Sequence, residues 1–267
     1  ISVTVQNLGM YATAVNVREF RNGVQIGMIR REIEFSVIIC FGSVPQLSLA
    51  PNVQQAGTNY FEIYETDTIS LLISGTDSED SLWLDVTSET MQPGAIAPPL
   101  ATADNDSGMF YVASLYHWAT DCGHARNDPY KVEIHLRDNG CPLPFTTIDS
   151  VFIKVKSANE YKPDIICLGL REGSRVEVIW QAPAVPQKHF QKMEVYRSMN
   201  GGTFSMIGNQ TDYSVHHFDD LNAIDYLSNN YCYYIKLISD CGGSGPPSDT
   251  VCTATQFNNA INVMRNA

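Results

Sequence analysis

Apolar and polar positions alternate at a spacing of two through most of this chain. Ile69, Leu71 and Ile73 take every second place in one run, Tyr130, Val132, Ile134 and Leu136 in another, and Val151, Ile153 and Val155 in a third. Val176, Val178 and Trp180 share one parity further on, as do Met193 and Val195, and then Tyr231, Tyr233, Ile235 and Leu237. Successive side chains of a strand point to opposite faces, so each run predicts a strand with one face in a core. No stretch of about 12 residues has the helical period with caps, apart from the tail near Asn258 to Ala267. An all-β chain is the expectation.

Turn residues divide these strands into units. Asn22-Gly23, between Val15/Val17 and Val24/Ile26, is a strong hairpin signal because both residues tolerate the positive φ of a type I′ turn. Ile33, Phe35 and Val37 then alternate with Glu32, Glu34 and Ser36, so residues 1–40 read as the closing strands of a sandwich with one face buried against a sheet outside this segment. Residues 41–160 read as a second sandwich, interrupted by Thr87 to Gly108, whose Pro93, Pro98 and Pro99 predict a long surface loop. A linker, Ser157 to Pro163, leads into a third unit at 161–257, where seven short strands describe a small sandwich. Residues 258–267 read as a tail or linker.

Composition narrows the classes of function. The formal net charge is -12, with 17 Lys and Arg against 29 Asp and Glu, which disfavours nucleic acid and anionic membrane surfaces. No apolar run approaches the about 20 residues that span a bilayer. The seven cysteines lack the close pairs of a zinc site, and the adjacent His216 and His217 point to opposite faces of a strand. They read instead as the disulfides of an exported protein, with Cys122 and Cys141 bracketing one loop-and-strand segment as a first pair. Cys40 has no evident mate downstream, so a partner before residue 1 is expected. The start at Ile1, without an initiator Met or a signal peptide, reads as an internal piece of something longer.

Residues 174–255 carry Val-Glu-Val-Ile-Trp180, Met-Glu-Val-Tyr-Arg197, Asn-Tyr-Cys-Tyr-Tyr234 and Pro-Pro-Ser-Asp-Thr250, and resemble a fibronectin type III domain. The resemblance makes Trp180 a core residue and Tyr231 the tyrosine of a tyrosine corner, although Asp225 stands where such domains carry a leucine. Tyr11 to Gly27, Val-Ile-Ile-Cys40, Trp118-Ala-Thr-Asp-Cys122, Pro129-Tyr-Lys-Val and Asp138-Asn-Gly-Cys-Pro142 are similar to motifs of large surface proteins of the Bacteroidota. Those chains resemble gliding-motility-associated adhesins secreted by the type IX system, which end in a sorting domain outside these residues. The fold class so implied is tandem Ig-like and fibronectin type III-like β-sandwiches.

In a sandwich of the fibronectin type, strands F and G are neighbours, which implies a Cys232–Cys252 bridge and brings Cys167 toward Cys241. Glu65, Asp77, Glu79, Asp80 and Asp138 fall near strand ends, and Asp77-Ser-Glu79 and Asp138-Asn139 resemble calcium-binding elements of cadherin-like repeats. Two readings stand for them: calcium as a cofactor that stiffens the junction between units, or a solvated acidic edge. Thr68, Ser81, Ser150 and Thr250 follow Asp and precede an apolar residue, as at O-glycosylation sites of exported Bacteroidota proteins.

Nothing in the chain resembles a nucleophile elbow, a P-loop or a dinucleotide fingerprint, and the histidines at 117, 124, 135, 189, 216 and 217 are scattered. The expectation is a non-catalytic stalk and adhesion segment at the exterior of the outer membrane. Its partners would be other domains of the same polypeptide, type IX or outer-membrane components, and surface glycans or proteins. Tyr196, Tyr226 and Tyr234 are candidates for a sugar platform, although strand aromatics more often pack on neighbours. Alternatives are an accessory spacer or carbohydrate-binding module of a secreted polysaccharide-degrading enzyme, or a cargo subunit of a secretion or motility complex.

Overall fold

A computed structural model describes residues 7–39, 42–140, 143–171, 175–223, 225–226 and 228–253. Cys40, Cys141 and the tail lie outside the described residues. The chain is all-β. Strands β1 (Gly9–Arg21) and β2 (Val24–Val37) form a two-stranded hairpin, turned by Asn22 at φ 49° and Gly23 at φ 80°. Tyr11 faces Phe35, Thr13 faces Ile33 and Val17 faces Ile29, giving the ribbon one apolar side. The hairpin bonds to no third described strand, and Val17, Ile29 and Ile33 are more than half exposed.

Next come β3 (Gln46–Pro51), β4 (Gln55–Gly57), β5 (Tyr60–Tyr64), β6 (Thr68–Ser88), β7 (Asp106–Ala119), β8 (Tyr130–Asp138) and β9 (Thr146–Lys156). Their order is β3-β6-β8-β9-β5-β4, with β7 on the other edge of β6 and β5 parallel to β9. The alternating residues close one core, in which Ile69, Leu71, Ile73, Ile134, Leu136, Val151 and Ile153 are fully buried. β6 serves two sets of neighbours. Its first half pairs with β3 and its second with β8, and the register slips between Thr76 and Ser81. Across that bulge the inward residues change parity, from Ile69, Leu71 and Ile73 to Leu82, Leu84 and Val86.

The segment from Thr87 is not the open surface loop that its prolines suggested. β6 continues to Ser88, Thr90 is fully buried with its hydroxyl 2.8 Å from the Tyr116 hydroxyl, and Trp118 Nε1 donates to the Pro99 carbonyl at 3.1 Å. Polar groups inside the core recruit this segment as a cover.

The third unit holds β10 (Ile165–Arg171), β11 (Arg175–Trp180), β12 (Phe190–Met199), β13 (Ser205–Gln210), β14 (His217–Asp220), β15 (Tyr231–Ser239) and β16 (Val251–Cys252). Three strands in the order β10-β11-β14 face four in the order β13-β12-β15-β16. Seven antiparallel strands divided three and four in this order have the arrangement of a fibronectin type III sandwich. Trp180, Val176, Val178, Met193, Val195, Tyr233, Ile235 and Leu237 fill its core.

Candidate functional site

The two sandwiches meet at a joint built from side chains separated widely in sequence. The turn after β5 places Thr66 at φ 67° and points Asp67 across the boundary. His189, only 1% exposed, closes a short 3-10 turn, Gln187–His189, before β12. Its Nε2 lies 2.9 Å from Asp67 Oδ1 and its Nδ1 3.2 Å from Asp240 Oδ2. Thr66 Oγ1 donates to that same Asp240 oxygen at 2.7 Å, Lys188 pairs with Asp67, and the Tyr64 ring lies 5.1 Å from the imidazole. One imidazole thus stands between two carboxylates, one from each sandwich.

Two further contacts tighten the joint. Cys122, in the turn after β7, is disulfide-bonded to Cys241 in the loop after β15, across 119 residues of sequence, with Cα atoms 5.5 Å apart. The linker is docked as well. Ser157 caps a 3-10 turn, Ala158–Glu160, Ala158 is buried in the core of the third unit, and a Cβ on Gly245 would lie 3.0 Å from the Asn159 carbonyl.

This bridge corrects the expected pairing of Cys122 with Cys141 and of Cys167 with Cys241. From the Cys122 turn, β8 carries the chain over nine residues to Asp138, about 27 Å away at strand rise, so the cysteine near Cys122 is the one brought by the neighbouring sandwich. Cys167 is a free thiol. Cys232 faces Cys252 across β15 and β16 and is bonded to it.

A second cluster lies at the bend of β6. Asp77 and Asp80 sit on the bulge and Asp138 ends β8, and one carboxylate oxygen from each lies within 4.8 Å of the others. Asp77 Oδ1 accepts from the Glu79 amide at 2.9 Å, and its carboxylate accepts from Ser43 Oγ at 3.3 Å. Asp138 Oδ1 accepts from the amides of Gly140 and Phe145 at 2.9 and 2.6 Å. Burial, with Asp77 and Asp138 beside it, holds the Asp80 carboxyl above its usual range. Oxygen donors of this kind suit a hard cation.

Two of the five acidic residues proposed from sequence contribute no carboxylate to this cluster. Glu65 is buried at the opposite end of the sandwich, where Oε1 accepts from the Gly123 amide at 2.6 Å and holds the Cys122 turn. The first half of β6 separates it from the bend. Glu79 is exposed and contributes only its amide.

No family model and no curated protein matches this chain. Among solved structures, chicken CNTN1 FN1-FN3 domains are similar at 10% identity and a TM-score of 0.32, over 90% of this chain and 74% of that one. At that score the likeness adds nothing to the fold given by strand order.

The remaining candidates sort by exposure. Thr68 and Thr250 present exposed hydroxyls, whereas Ser81 and Ser150 are half-buried on strands. Tyr196 stacks on Tyr234 at 4.7 Å with Phe204 beside it, and Tyr226 packs on the third unit's core, so these rings face one another or the interior. Ser70 Oγ lies 2.9 Å from His117 Nδ1, a cross-strand pair in which the other imidazole nitrogen has no partner among the described residues. No helix among the described residues is long and apolar enough to cross a membrane.

Proposed function

We propose that this chain is a stiff, non-catalytic stalk and adhesion segment of a secreted, cell-surface-attached protein. The observation that carries this reading is the joint: consecutive sandwiches share a disulfide, a buried imidazole between two carboxylates, and a linker packed into the second core. Domains joined by a bare linker move relative to one another by default, and a covalent, packed joint suppresses that motion. Disulfides persist in oxidising compartments, which supports a location outside the cytosol. The finer assignment, to surface attachment or gliding through type IX secretion, draws support from the strand and turn motifs between Tyr11 and Pro142.

Small-angle X-ray scattering tests the stalk reading. A single fixed arrangement of the two sandwiches should fit the oxidised chain, and the Cys122→Ser/Cys241→Ser variant should broaden the distance distribution. Scattering from the oxidised chain that requires an ensemble of bent arrangements would falsify it. Sequencing the native parent polypeptide tests the finer assignment: further sandwiches with a sorting domain support it, and an adjoining hydrolase domain replaces it with an accessory spacer.

A further inference from the structure

The acidic cluster at the β6 bend takes no part in the joint, and its interior is incomplete as a hydrogen-bonded structure. Asp138 is 1% exposed. Its Oδ1 is engaged by two amides, but its Oδ2 is buried without a hydrogen-bond partner, and so is Asp80 Oδ2. None of the three carboxylates has a basic partner among the ion pairs of the described residues. Buried carboxylates without partners are rare because loss of hydration is compensated neither by a donor nor by a charge. The backbone closes in on the same point, since a Cβ on Gly140 would lie 3.1 Å from Asp138 Oδ1 and 3.4 Å from Asp80 Oδ2.

We infer that Asp77, Asp80 and Asp138 bind one calcium ion. The donors are all oxygens, which excludes the nitrogen and sulfur chemistry of a zinc site. Calcium–oxygen bonds of about 2.3–2.6 Å place donors on one ion up to about 5 Å apart, which accommodates the 4.8 Å spread; magnesium, at about 2.0–2.1 Å, draws them closer. The ion completes the coordination that the orphan oxygens of Asp80 and Asp138 lack. Its further ligands are water and backbone carbonyls, as calcium's six to eight positions require. Bound there, it ties the β6 bulge to the end of β8. Through Asp77 and Ser43 it also ties both to the segment that enters β3. The inference does not depend on the stalk reading, because it concerns one sandwich alone.

The test uses the full chain, stripped with EDTA, then titrated with calcium chloride in a calorimeter and melted with and without saturating calcium. About one ion per chain is expected to bind, and Tm to rise by at least about 4 °C. Asp138→Asn should abolish both responses. Should that variant fail to fold, Asp80→Asn serves in its place, since the Asp80 carboxylate accepts no hydrogen bond among the described residues. A chain that gives no binding heat and the same Tm in calcium as in EDTA overturns the inference. So does a response that survives in the folded variants, which would put the ion elsewhere, or an equal response to magnesium.

Discussion

Tyr231 donates its hydroxyl to the Asp225 carboxylate, and Asn229 Nδ2 donates to the same group. Asp225, which stands where fibronectin type III domains carry a leucine, therefore supplies an acceptor for the Tyr231 hydroxyl, where a leucine would have supplied only packing. The Tyr231 hydroxyl, with help from Asn229, holds the Asp225 carboxyl below the usual range. A carboxyl whose folded pKa is depressed adds stability above its unfolded value of about 4 and loses it as pH falls through the folded value. Melting between about pH 7 and pH 2 should show Asp225→Asn less stable than wild type at neutrality and equal to it at the acid end. A constant gap across that range would contradict the assignment. Asp220 works by a different route. It is 2% exposed and accepts from Arg197 Nη1 at 2.8 Å and from the fully buried Tyr233 hydroxyl at 2.9 Å. Asp220→Ala leaves a partly buried guanidinium and a buried phenol unpaired, and urea denaturation should show a loss of roughly 3 kcal/mol.

Among the strands, β6 shows what alternation can and cannot reveal. Ile69, Leu71 and Ile73 identify its first half, and the inward faces of β8, β9 and β11 are legible in the same way because each keeps one parity along its length, as does β15 from Tyr231 to Leu237. The second half of β6 is hidden, since the bulge at Asp77–Ser81 shifts the phase and makes one strand look like a strand and a loop. The acidic cluster is half legible for a related reason. Asp77 and Asp80 are near in sequence, but Asp138 joins them through the pairing of Leu82 with Asp138, and Glu65 leaves the set because nine residues of extended chain lie between it and the bend. Gly75 sits just before that bulge, where an added Cβ would meet the Leu136 methyls at 2.4 and 2.8 Å. Gly75→Ala should overpack the core at the point where β6 changes neighbours and cost about 1–3 kcal/mol, measured by thermal melting. A neutral result would mean that Leu136 has another rotamer with room to spare.

At the scale of the molecule, the decisive contact was the least legible. Spacing along the chain favours Cys141 as the partner of Cys122, and only the meeting of two separately folded sandwiches brings Cys241 there instead. The same meeting buries His189, whose sequence neighbours carry no sign of it. Asp67 arrives from a turn 122 positions earlier and Asp240 from a loop 51 positions later, the differences of their residue numbers. A disulfide closing so long a loop restricts the unfolded chain strongly and should contribute on the order of 2–4 kcal/mol. It also couples the two cores, since neither sandwich can separate from the other while it is intact. The oxidised chain should therefore unfold with both sandwiches in one calorimetric transition. Cys122→Ser/Cys241→Ser should lower Tm and, combined with His189→Ala, resolve two transitions, one for each core. The Cys232–Cys252 bridge lies within one sandwich, so its removal should lower the melting of the third unit without uncoupling it from its neighbour. If the triple variant still melts as one unit, the packed linker, the Tyr64 face and the Thr66–Asp240 and Lys188–Asp67 contacts hold the joint without the bridge and the imidazole, and the staple acts only on the unfolded chain.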